Sequence, residues 1–81
     1  MKGYWLMRLG RYLTSLTKPE LEILKENLNM TDEQTKIFNL LLKGSSREMV
    51  ADRLMMSPAT VGKKIGEIGK KIERLEEMGL I

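Results

Sequence analysis

The residues best suited to binding chemistry are lysines in the last third of the chain. Residues 58–71 contain one acid, Glu67, and four lysines: Lys63, Lys64, Lys70 and Lys71. At about 100° per residue, a helix would place these lysines on one face with Thr60 and Arg74. Ammonium groups arranged in this way bind phosphates with an affinity that depends on salt. A solvated helix surface is the alternative interpretation of the same pattern.

The chain lacks the side chains on which most catalytic and metal sites depend. It has no cysteine and no histidine, which excludes a zinc site of Cys and His ligands and a Ser-His or Cys-His nucleophile. The sequence also contains no phosphate-binding glycine loop after a strand and no convergent pair of acids. We therefore expect no enzyme, no metal site and no cofactor.

Length and charge narrow the class of protein further. The 81 residues suffice for one domain with a small core. The net charge of +3 and the pI of about 9.3 permit nucleic-acid binding without requiring it. Because Arg8 and Arg11 follow the apolar run at residues 4–7, we expect neither a signal peptide nor a membrane span. We expect a cytoplasmic protein with no membrane partner.

Capping signals divide the chain into helices, and no segment shows strand-like alternation. The signals are two capping boxes, a lysine–glycine stop and two serine caps: Thr17–Glu20, Thr31–Gln34, Lys43-Gly44, Ser45 or Ser46, and Ser57-Pro58. The last helix then runs for about 20 residues, to Met78-Gly79. The sequence predicts a single all-α domain of four to five short helices with a long C-terminal helix.

Residues 4–16 have the period of an amphipathic helix, with Trp5, Leu9 and Leu13 on one face. A short helix that covers the core is the first interpretation. A helix on a membrane surface and a basic arm that touches DNA are the alternatives.

Two helices, Arg47–Met55 and the one that opens at Pro58, have the spacing of a helix-turn-helix. The small side chain of Ala51 allows the helices to cross closely, and Val61 fills the junction. In such a motif the first helix supports the second, which lies in the major groove of DNA. The pattern therefore predicts a recognition helix that begins at Ser57-Pro58.

At these residues the sequence resembles a known family. The stretch from Met30 to Ile72 resembles the LuxR/GerE-type DNA-binding domain, in which a capped helix and a glycine precede an S-x-x-x-I-A-x-x-L-x-x-S-x-x-T-V pattern. The corresponding residues here run from Ser46 to Val61. Gln34 and Met49 stand where that family usually has glutamates, and Gly62 stands where a lysine usually contacts DNA.

The resemblance implies a division of the domain and a kind of protein. Residues 1–30 become an N-terminal helical extension, and residues 31–78 become a LuxR-type helix-turn-helix core. The DNA-interacting final region of sigma factors is the second nearest pattern. Small stand-alone regulators of phages and mobile elements also resemble this layout.

The predicted DNA-binding residues lie on the recognition helix and at the start of the helix before it. They are Arg47, Ser57, Thr60, Lys63, Lys64, Glu67, Lys70 and Lys71. Thr60 and Lys63 are the candidates for contact with base edges, because they occupy the first turns of the helix. Glu67 either accepts a hydrogen bond from cytosine N4 or pairs with a lysine of its own face: Lys63, Lys70 or Lys71.

Three glycines, Gly62, Gly66 and Gly69, fall together beside the lysine face. Each costs about 1 kcal/mol of helix stability relative to alanine, so something is expected to approach closely there. A phosphate backbone and a second helix are the two candidates. A shorter or frayed helix that tolerates the glycines is the third interpretation.

The apolar stripe of the last helix, at positions 61, 65, 68, 72 and 75, has the spacing of a coiled coil. It extends beyond what a helix-turn-helix needs, so we expect a homodimer that contacts its partner copy through Ile72, Leu75 and Met78. Its two half-sites would lie about 10 bp apart. Burial of the stripe inside one chain, against the N-terminal helix, is the alternative.

Together these patterns predict sequence-specific binding of double-stranded DNA by a transcription regulator that acts as a dimer. The alternative is a protein-interaction module that uses the same fold to dock on RNA polymerase or a repressor.

Overall fold

The helices begin at the capping residues that the sequence marks. The computed structural model describes residues 4–80, except for the side chains of Tyr4, Leu6 and Met7. The helices of this part of the chain are α1 (Tyr4–Thr14), α2 (Lys18–Leu28), α3 (Asp32–Leu42), α4 (Arg47–Leu54) and α5 (Pro58–Glu77). No strand occurs among the described residues. The predicted all-α fold is thereby confirmed.

Two reciprocal hydrogen-bond pairs fix the starts of α2 and α3. At α2, Glu20 Oε1 accepts from the backbone N–H of Thr17 at 2.8 Å, and the Thr17 hydroxyl accepts from the N–H of Glu20. The bond from the Thr17 backbone, then a hydrogen bond with the Thr17 side chain, lowers the pKa of the Glu20 carboxyl. Thr31 and Gln34 form the same pair at α3. Both capping boxes are therefore confirmed.

Residues with left-handed backbone conformation follow four of the helices, α2 to α5. Gly44, with φ of 91°, follows α3, and Gly79, with φ of 76°, follows α5, as the sequence predicts. Two non-glycine residues also adopt this conformation, Asn29 after α2 and Met55 after α4. Asparagine tolerates it, but methionine there is uncommon. Between Ser45 and Ser46, the structure selects Ser46 as the cap of α4.

The long helix α5 is the centre of the core, and each of the other four helices packs against it. Its buried stripe consists of Val61, Ile65, Ile68, Ile72 and Leu75. The other helices contribute mainly aliphatic side chains: Trp5, Leu9, Leu13, Leu24, Leu28, Ile37, Phe38, Leu41, Val50 and Ala51. One continuous core therefore joins the predicted extension, residues 1–30, to the predicted core, residues 31–78, through the described residues of both.

Helix α1 lies along the C-terminal half of α5 and covers it. The indole of Trp5 packs over Gly69, and its Nε1 donates to Glu73 Oε2 at 2.7 Å. Tyr12 meets Trp5 edge-on, with 5.6 Å between the ring centroids. Burial, then the carboxylates of Glu76 and Glu20, raise the pKa of the Tyr12 hydroxyl. These contacts match the first interpretation of residues 4–16, a helix that covers the core.

The packing of α1 and α2 on α5 corrects the predicted dimer contact. Ile72 is 0% exposed and Leu75 is 4% exposed within a single chain, so neither side chain is available to a partner copy. The spacing of the stripe is that of an intramolecular core, which was the alternative. Met78 is 59% exposed. Dimer formation itself stays a prediction.

None of the helices in residues 4–80 combines the length and the apolar character needed to cross a membrane.

The contact between Trp5 and Gly69 gives a direct test of the packing of α1. A Cβ atom at residue 69 would collide with three atoms of the indole ring. We expect Gly69→Ala to lower the free energy of unfolding by about 1–3 kcal/mol, although alanine favours the helix. Gly10→Ala is the control, because its Cβ would lie 3.9 Å from the Leu41 carbonyl oxygen, an ordinary contact. Urea unfolding measures both, and equal stabilisation of the two variants would contradict this packing.

The junction of α4 and α5 gives a second test. Val61 is fully buried, whereas the preceding residue, Thr60, is exposed. We expect Val61→Asp to unfold the domain, because an unpaired buried carboxylate costs several kcal/mol. Thr60→Asp adds the same charge one residue earlier and should keep the native far-UV circular dichroism and a cooperative melt. A cooperative melt near that of the wild type for Val61→Asp would place the junction elsewhere.

Candidate nucleic-acid interface

Helices α4 and α5 are joined by a turn of Met55, Met56 and Ser57. The Met56 N–H donates to the Ala51 carbonyl at 2.9 Å, which closes the end of α4. Ala51 and Val61 are buried where the two helices meet. The turn and this contact leave the first turn of α5 exposed to solvent from Ser57 to Thr60.

Hydroxyl groups order the exposed start of α5. Ser57 Oγ accepts from the N–H of Thr60 at 3.1 Å, and the two side-chain oxygens lie 2.8 Å apart. The Thr60 side chain is therefore held by the N-cap residue. Both predicted binding residues at this end of the helix, Ser57 and Thr60, are exposed.

One side of the predicted lysine face turns toward α3. Lys64 Nζ lies 3.0 Å from Glu33 Oε1, and the Lys64 side chain is only 24% exposed. The hydrogen bond and the charge of Glu33 raise the pKa of Lys64. Lys64 therefore takes part in the contact between α3 and α5, and it also contributes a positive charge to this side of α5.

The side chain of Gln34 connects the same two helices and is 5% exposed. Its Oε1 accepts from Lys71 Nζ at 2.7 Å and from the backbone N–H of Thr31 at 3.1 Å. Its Nε2 donates to Glu67 Oε1 at 3.1 Å. Every polar atom of the Gln34 side chain thus has a partner, as a buried amide requires.

These bonds give two of the predicted binding residues, Lys71 and Glu67, a structural role between helices. Lys71 also donates to the Asn29 carbonyl at 3.1 Å, so its ammonium group bridges the end of α2 and the start of α3. Among the described contacts, Glu67 bonds to Gln34 rather than to a lysine of its own face. The expected pairing of Glu67 with Lys63, Lys70 or Lys71 is therefore not the one that the structure contains.

Two neighbouring helices leave an open strip along α5. Helix α1 covers the side of Gly69, and α3 covers the side of Lys64 and Lys71. On a helical projection, Lys63 and Lys70 lie midway between these two sides, and both are exposed. We name the surface formed by Lys63, Gly66 and Lys70 the open strip. It continues the exposed first turn of α5.

The remaining predicted residue, Arg47, lies at the start of α4. Its side chain is 38% exposed and its Nη2 lies 3.5 Å from Glu48 Oε2. The pairing is local, between adjacent residues, and a surface ion pair of this kind contributes little stability.

The three glycines of α5 differ in their surroundings. Gly69 accommodates the indole of α1, so the second-helix interpretation holds for that position. Gly62 is also buried. A Cβ atom at Gly66, by contrast, would have no other described atom within 4 Å apart from its chain neighbours and the backbone of α5 itself. The continuous helix from Pro58 to Glu77 rules out the interpretation of a short helix that ends before these glycines.

Sequence reasoning assigned Gln34 to the capping box alone and missed its role between helices. The sequence does contain a signal for this role. Gln34 precedes Ile37 and Phe38 by about one helical turn, so it lies on the apolar face of α3. A polar residue on an apolar helix face predicts a buried partner.

Comparisons with family models, with curated proteins and with solved structures found no match to this chain. The resemblance to the LuxR/GerE-type domain therefore stays a prediction.

The bonds of Gln34 predict its contribution to stability. We expect Gln34→Met to lower the free energy of unfolding by about 1–3 kcal/mol, because Lys71 and Glu67 lose their shared partner and α3 loses its capping side chain. Lys36→Met is the matched control, since Lys36 is exposed on the same helix. Urea unfolding compares the two variants, and equal stability would show that the Gln34 bonds contribute nothing.

Proposed function

We propose that this chain binds double-stranded DNA and acts as a transcription regulator in the cytoplasm, with α4 and α5 as a helix-turn-helix. The observation that carries the proposal is the open strip. Lys63 and Lys70 are exposed beside an exposed first turn of α5, while Lys64 and Lys71 face α3.

The geometry of duplex DNA supports this use of α5. The major groove, about 12 Å wide, admits one α-helix, and α5 presents a side that no other helix covers. In this arrangement Lys63 and Lys70 bind phosphates, which supplies affinity. Thr60 lies in the first turn of α5, where a recognition helix meets base edges.

The roles of the other predicted residues follow from their contacts. Lys64, Glu67 and Lys71 orient α5 on α3, and the two lysines add positive charge beside the groove. Arg47, at the start of α4, binds a flanking phosphate. We retain the homodimer as a proposal without Ile72 and Leu75, and Met78 is its exposed contact residue.

A second candidate function is docking on another protein, such as RNA polymerase or a repressor. The observation that favours it is a pair of exposed methionines on α4 and its turn, Met49 and Met55. Met55 is 92% exposed and has φ of 57°, so the side chain adds nothing to the core. Methionines are frequent at adaptable protein-binding surfaces.

Binding to a random-sequence duplex across a salt series tests the proposal. We expect the double variant Lys63→Ala/Lys70→Ala to bind more weakly and to flatten the slope of log K against log salt by up to about one unit per lost phosphate contact. The control is Lys18→Ala/Lys36→Ala, which removes the same charge from exposed positions on α2 and α3.

Equal losses in the two double variants would show a non-specific effect of net charge and would refute the assignment of α5. Absence of binding by the wild-type protein at low salt would refute DNA binding itself and favour the docking function.

A further inference from the structure

Gly66 lies in the interior of α5, where the contacts of the described residues do not require a glycine. It is the ninth residue of a 20-residue helix, and its φ is not in the left-handed region. Glycine weakens a helix relative to alanine because it has more conformational freedom to lose on folding. Glycine at this position therefore carries a cost in helix stability that alanine would not.

The contacts around two other helical glycines, Gly69 and Gly10, give a comparison with Gly66. At Gly69 the indole of Trp5 occupies the space of a side chain, so alanine is excluded. At Gly10 a Cβ would meet Leu41 at an ordinary contact distance. At Gly66, apart from its chain neighbours and the backbone of α5 itself, no described residue comes within 4 Å of the Cβ position. The described residues therefore leave the space beside Gly66 open to a binding partner.

Two lysines flank Gly66 on the open strip, and the adjacent carboxylate, that of Glu67, is bonded to Gln34 of α3. Lys63 precedes it by three residues and Lys70 follows it by four, so both lie on the same side of the helix, one turn to either end. Both are exposed. A surface without a side chain, between two ammonium groups, matches a negatively charged strand that comes close to the helix backbone.

We propose that the sugar–phosphate backbone of duplex DNA packs directly against α5 at Gly66, between phosphates bound by Lys63 and Lys70. Any side chain at residue 66 would hold the helix away from the duplex and lengthen both lysine contacts. This inference rests on the proposed function and names the point of closest approach within it.

The test separates the stability of the helix from its contact with DNA. Gly66→Ala and the control Gly10→Ala both replace a helical glycine, and both should raise the melting temperature by roughly 4–8 °C. Only Gly66→Ala should lose affinity for a random-sequence duplex, by about tenfold, and Gly66→Leu should lose more. Fluorescence anisotropy with a labelled duplex measures the affinity, and differential scanning calorimetry measures the melting temperature.

Two outcomes would overturn the inference. If Gly66→Ala is more stable and binds the duplex as tightly as wild type and Gly10→Ala, no close approach occurs at residue 66, although DNA binding stands. If Gly66→Ala is less stable than wild type, the glycine has an internal role. A wild-type protein that does not bind the duplex refutes the proposed function, which distinguishes that failure from both.

Discussion

The close packing of Trp5 over Gly69 is the contact on which the arrangement of the molecule depends. It brings α1 against the C-terminal half of α5, and the bond from Trp5 to Glu73 fixes the indole there. Without α1, the aliphatic stripe of α5 would lose one of the four helices that pack against it. Because α1 completes the burial of Ile72 and Leu75, one chain closes its own core.

A second contact, centred on Gln34, limits the opposite side of α5. The amide holds Lys71 and Glu67 against α3, and the ion pair of Lys64 with Glu33 extends the same contact. Structural bonds thus occupy half of the lysines that a helical projection would assign to a ligand. The open strip of α5, which α1 and α3 leave uncovered, is narrow. It carries Lys63 and Lys70 on either side of Gly66.

Local and long-range features of the fold differ in how far the sequence reveals them. Capping boxes and the period of α5 depend on residues within a few positions of each other, so Thr31 with Gln34 could be predicted. The bond of Trp5 to Glu73 joins residues 68 apart, and that of Lys71 to Gln34 joins residues 37 apart. Periodicity does not encode which helix covers which face. The C-terminal end of the stripe, Ile72 and Leu75, is therefore predicted to meet a partner copy, and Lys64 and Lys71 a ligand.

The central claim is that the side of α5 between α1 and α3 binds duplex DNA. A titration of ¹⁵N-labelled protein with a short duplex, followed by two-dimensional NMR, tests it most directly. We expect the amide signals of Thr60, Lys63, Gly66 and Lys70 to shift progressively, while those of the exposed outer face of α2 do not. Shifts confined to α4 and its turn, or no shifts at low salt, would contradict it.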